Sequence, residues 1–251
     1  MYAWKCWRET RARFFVFLIL AVAGVVFMDA AALSTDRHVA VNTAQASGGQ
    51  SAARDFMIPI TLGIVYALAS TCACLLGASA AGGEIDAGTA DFLWTRPRRR
   101  SAMNWTHWSV CVAEIAAVIF IPTMLQMAVL TGAGIAKTWS LAAATPVFVF
   151  AALPILGVTT LMTALRRSAN GGLIFGLGIV LGYSGVSSFL QRFWDISLPD
   201  ISSAMVGWLS GVGMARPESQ VIFPWAAAIR ILVLAVAFPL AAQYVLKKAE
   251  V

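Results

Sequence analysis

The side chains that could do chemistry in this chain are few. Its 251 residues include two histidines, His38 and His107, and four cysteines, Cys6, Cys72, Cys74 and Cys111. No two cysteines form a CxxC pair, and three of the four lie in or beside apolar runs. A thiol there behaves as a small hydrophobe, so neither a disulfide framework nor a metal site is expected. Gly182-Tyr183-Ser184-Gly185 frames a serine between glycines, as in an intramembrane protease. Such a serine needs a base at the same depth, and both histidines fall outside the apolar runs. Residues 132–138, GAGIAKT, approach the phosphate loop GxxxxGK[ST], but Ala136 stands where glycine is required. Catalytic residues are therefore not expected here, and any ATP hydrolysis would belong to another chain. Charges inside apolar runs are read as functional by default, and there are three: Asp29, Glu114 and Arg230. Asp29 and Arg230 lie near run ends, from which a side chain reaches water by snorkelling. Glu114 lies about two turns inside its run. It would pair with an arginine of the preceding loop or meet a cationic substrate.

The densest group of functional residue types is the segment 82–101, GGEIDAGTADFLWTRPRRRS. Gly82 and Gly83 are expected to release the chain from the preceding helix. Glu84, Asp86 and Asp91 keep the next stretch at the water surface, and Ile85, Phe92, Leu93 and Trp94 supply apolar contacts. Pro97 stops any helix, since it lacks an N–H and clashes with the turn before it. Arg98, Arg99 and Arg100 hold the segment at an anionic leaflet, each worth about 1 kcal/mol near the surface. A compact, oriented knob results.

The elements that must position this knob follow from composition. Hydrophobic residues make up 59% of the chain and charged ones 12%, against about 25% charged in a soluble domain. Mean hydropathy is +0.78. Lipid is the natural solvent for such a surface, and nucleic acid is not a needed partner for the net charge of +6. A spanning helix takes about 20 mostly apolar residues, and six runs qualify: 14–33, 56–79, 108–131, 141–165, 171–190 and 225–246. The fold class expected is all-α integral membrane, a single domain over 1–251. Pro146 and Pro154 predict a kink in the fourth run. Basic residues collect in cytoplasmic segments. Twelve of the eighteen Lys and Arg lie in the N-terminal segment, the second and fourth connections, and the C-terminus. Five lie in the opposite segments, and Arg230 is inside the sixth run. Both termini are then cytoplasmic. A cleaved secretory leader is the weaker reading of the first run, which exceeds the 7–15 residues of a leader's apolar core. Residues 1–13 read as an interfacial elbow helix, with Lys5, Glu9 and Arg13 on one stripe and Trp4 and Trp7 opposite. Residues 34–55 form a polar external loop. Residues 191–224, broken by Pro199, Pro217 and Pro224, form an external or re-entrant segment.

With these elements the knob resembles the signature of type-2 ABC exporter permeases: Glu84, then Gly88-Thr89, then Phe92-Leu93, then Arg96-Pro97-Arg98-Arg99. The likeness extends to the elbow, the six helices and the long connection before the sixth. Asn104, Trp105, Thr106 and His107 stand where members often carry a lysine. The resemblance implies a bacterial cytoplasmic-membrane permease that dimerises, with itself or a related permease. It would engage two copies of an ATPase subunit, which holds the ATP and magnesium; this chain would bind no cofactor. Residues 82–96, Glu84, Asp86, Gly88, Thr89, Phe92, Leu93, Arg96, Pro97 and Arg98 among or beside them, would couple the two. The path would run at the dimer axis along the second and fifth helices, past Tyr66. Gly172/Gly176 and Gly178/Gly182 are GxxxG pairs at a dimer or gate interface, or packed within one subunit. The cargo implied is hydrophobic or amphipathic: an antibiotic, drug, peptide or lipid. An ion-gradient-driven carrier or channel, and then an intramembrane enzyme, are the alternatives.

Overall fold

The computed structural model describes residues 2–42, 49–86, 100–132, 139–194 and 225–248. They form six α-helices: α1 Tyr2–Asn42, α2 Gly49–Asp86, α3 Arg100–Gly132, α4 Trp139–Arg166, α5 Ala169–Trp194 and α6 Trp225–Lys248. Among the described residues there is no strand. Five helices hold stretches long and apolar enough to cross a membrane: Ala3–Ala31, Ile60–Ser79, Ala102–Gly132, Thr145–Arg166 and Ile229–Leu246. In α5 the described apolar stretch is the shorter Ala169–Tyr183.

The distribution of side chains is that of a molecule dissolved in hydrocarbon. Phe27, Ile174, Ile19 and Leu181 are among the most exposed large side chains, while Thr10, Thr61, His107, Glu114, Thr123 and Gln126 are buried. Backbone groups in lipid have no partner but their own helix, and the buried threonines conform. Thr123, Thr159, Thr160 and Thr163 each donate to the carbonyl four residues back, at 2.7–2.8 Å. The core is shared by α1, α2, α3 and α4, through Phe14, Leu62, Leu76, Ile115, Ile119, Phe148 and Leu156. Helix α4 also carries α5 and α6 on its outer side. Small residues permit the close approaches. A Cβ on Gly77 would stand 2.7 Å from the Leu156 carbonyl oxygen, and one on Gly157 would stand 2.8 Å from Phe238 Cβ.

Three features differ from the sequence-based expectations. First, α1 is one helix from Tyr2 to Asn42, so residues 2–13 continue the axis of the first span instead of bending away from it. No glycine or proline precedes Gly24, and nothing local interrupts the helix. Second, α2 continues through Gly82 and Gly83 to Asp86. Each glycine costs about 1 kcal/mol in a helix interior, and that cost does not end α2 at this pair. Third, the polar loop expected over 34–55 is helical at 34–42 and 49–55; Pro146 and Pro154 lie inside α4. The α4–α5 turn is short. Arg167 takes a left-handed conformation, φ 51°, which closes α4, and the Ser168 hydroxyl accepts from the Gly171 N–H at 3.4 Å at the start of α5. The Arg166 guanidinium lies 3.9 Å from the centre of the Phe175 ring, fastening the two helices.

Candidate functional site

Three groups of residues bear on function: a polar node between α1 and α3, the segment that follows α2, and two glycine faces of α5.

The node is built on Glu114. Its residue is 2% exposed in the seam that α3 makes with α1. The loop arginines expected as its partner lie outside the described residues, apart from the helical backbone of Arg100. The partner seen is Thr10, whose hydroxyl bonds Glu114 Oε1. Thr10 sits beside Cys6 on the buried side of α1, and its Oγ also lies 3.0 Å from the Cys6 carbonyl oxygen. Cys72 from α2 and Cys111 from α3 complete the surroundings; all three thiols are buried and unoxidised. Glu114 Oε2 has no hydrogen-bond partner among the described residues. The Lys5–Glu9 pair, at 3.6 Å, occupies the outer side of the same helix. Arg13 is engaged on the Leu75 carbonyl at 3.2 Å. Farther along the seam Asp29 is also buried, beside Gln126, and does not reach water as its place near the run's end suggested. Arg230 is exposed, as its position implied. Among the described residues, no three His, Cys, Asp or Glu side chains converge on a point where a metal ion could sit.

Sequence reasoning singled out Glu114 but missed Thr10 and Gln126. Thr10 and Cys6 are four residues apart and so share a face, but that segment was expected to lie in the plane of the membrane. Gln126 was a readable signal, an amide within an apolar run.

The segment expected to couple to an ATPase is only partly described. Glu84 and Asp86 lie in the last turn of α2, beyond the apolar stretch that ends at Ser79. Gly88, Thr89, Phe92, Leu93, Arg96, Pro97 and Arg98 lie outside the described residues. The glycines of α5 divide into two faces. Gly172 and Gly176 pack on α4: a Cβ on Gly172 would stand 2.6 Å from Thr163 Cβ, and one on Gly176 3.0 Å from Thr159 Cα. Among the described residues, Gly178 and Gly182 have nothing within 4 Å of such a Cβ. Tyr66 is engaged inside the bundle, its ring 5.4 Å from that of Phe148 and its hydroxyl 3.5 Å from the Ala151 carbonyl oxygen. An open apolar cleft of about 470 Å³ lies between α3 and α4, among Ala117, Phe120, Pro146 and Val149. It holds no charged group to orient a polar cargo.

No protein-family model, no curated protein and no solved structure matches this chain.

Proposed function

We propose that this chain is the membrane-spanning permease subunit of an ATP-driven exporter for a hydrophobic or amphipathic cargo. A separate ATPase subunit supplies ATP and magnesium. The observation that carries this reading is the segment 84–99, with its Glu, Gly-Thr, Phe-Leu and Arg-Pro-Arg-Arg in order, next to long apolar helices. The end of α2 adds physical support. Glu84 and Asp86 lie at a helix C-terminus, where negative charge opposes the helix dipole at about 0.3–1 kcal/mol each, and the last turn holds no basic residue. An acidic pair kept there suits a basic surface on a partner. The open Gly178/Gly182 face of α5 suits a second permease copy.

The test is capture of the tagged chain from its native membranes. A nucleotide-binding subunit with a Walker phosphate loop is expected in the eluate, and Glu84→Lys combined with Asp86→Lys is expected to remove it while leaving membrane insertion intact. Recovery of no such ATPase would end the proposal. A gradient-driven carrier is the second reading, favoured by the two buried carboxyls, Asp29 and Glu114. Export abolished by a protonophore and indifferent to ATP depletion would select it.

A further inference from the structure

Thr10 can serve Glu114 either as a hydrogen-bond donor or as an acceptor. A threonine hydroxyl has one hydrogen, and Thr10 Oγ has three acceptors within reach, the Cys6 carbonyl oxygen at 3.0 Å, the Trp7 carbonyl oxygen at 3.4 Å and Glu114 Oε1. If the hydrogen goes to Oε1, Glu114 is the acceptor, the only role a carboxylate can take, and the Cys6 carbonyl keeps its helical bond. If the hydrogen goes to Cys6, the Thr10–Glu114 contact is a hydrogen bond only when Glu114 itself is the donor, which requires the carboxylic acid. Both arrangements use the same heavy-atom positions, and the second is open only to the protonated carboxyl.

We propose that Glu114 is a proton-binding site whose loading allows the α1–α3 hydrogen bond to reverse its direction. On loading, a proton from water joins a Glu114 carboxylate oxygen, the new O–H donates to Thr10 Oγ, and the Thr10 hydroxyl rotates onto the Cys6 carbonyl. On release the proton returns to water and Thr10 rotates back.

The neighbourhood isolates this equilibrium. Cys6 from α1, Cys72 from α2 and Cys111 from α3 are the titratable groups nearby. His107 lies two turns back on the same helix and is buried. Arg13, one turn beyond Thr10, is engaged on the Leu75 carbonyl. The spanning stretches of α2 and α4 carry no Lys, Asp or Glu, and no Arg before Arg166. Among the described residues, therefore, no fixed charge locks Glu114 in one form. Its 2% exposure adds a consequence: water must reach the carboxyl before the proton can exchange, so loading is tied to a parting of α1 from α3. This holds whether ATP or an ion gradient drives the molecule.

Infrared difference spectroscopy tests it on the full chain in lipid nanodiscs, with glutamate ¹³C-labelled at the side-chain carboxyl so that Asp29 does not contribute. Titrating the pH is expected to raise and remove, reversibly, a carboxylic-acid C=O band that is lost in Glu114→Gln and shifted in Thr10→Val. A Glu114 band unchanged across the titration would overturn the proposal. So would a band indifferent to Thr10→Val. Should Glu114→Gln fail to fold, labelled wild type and Thr10→Val decide between these outcomes.

Discussion

Threonine in a membrane helix ordinarily spends its hydroxyl on its own backbone, as Thr123 does on the Ile119 carbonyl. Thr10 differs because α3 brings it a carboxyl. Removing that hydroxyl leaves a buried carboxyl without a donor, which costs about 1–3 kcal/mol. Thr10→Val is therefore expected to lower the melting temperature in detergent, whereas Thr123→Val, which breaks only a bond within one helix, should change it little. Equal melting of the two variants would contradict the node. Glu114 was legible in the sequence because a charge inside an apolar run stands out, and its partner was not, because partner choice depends on the rotation of α1.

Helix α5 shows the same limit at the level of an element. The sequence displays two GxxxG pairs, but not which face each occupies. At 100° per residue, Gly178 lies about 240° around the helix from Gly172, so the pairs point to different sides. One pair is taken by α4 and the other is open. Gly172→Val would drive a side chain into Thr163, at an overpacking cost of about 1–3 kcal/mol or more, and is expected to lower folded yield by size-exclusion chromatography. Gly182→Val should leave that yield unchanged and reduce self-association, measured by cross-linking in the membrane. Reduced yield with Gly182→Val would show that its face is used within the subunit. Five of the six apolar runs fall in helices long and apolar enough to cross a membrane, because an apolar run of about 20 residues has few alternatives. The helix ends were not legible in the same way. Helices α1 and α2 run past the apolar stretches at both termini, and a propensity penalty at Gly82 and Gly83 did not decide where α2 stops.

For the whole molecule, the direction of the chain across the membrane depends on α5. Its 26 residues rise about 39 Å, enough for a bilayer core of about 30 Å, while its described apolar stretch is the shortest of the six helices. If α5 crosses, six spans place both termini on one side, and the arginine distribution makes that side the cytoplasm. Reporter fusions at each terminus are expected to read cytoplasmic; termini on opposite sides would mean five crossings and would move the C-terminus outside. On the proposed reading, the same orientation would put Glu84 and Asp86 at the inner surface, where the proposed ATPase would dock.

The most direct measurement is photo-cross-linking from residues 89 and 92, with a photoreactive amino acid replacing Thr89 or Phe92 in the intact membrane. The account predicts one dominant adduct, to an ATPase subunit, whose yield changes when ATP hydrolysis is trapped with vanadate. Adducts to lipid alone, or to a partner whose yield ignores the nucleotide, would contradict it.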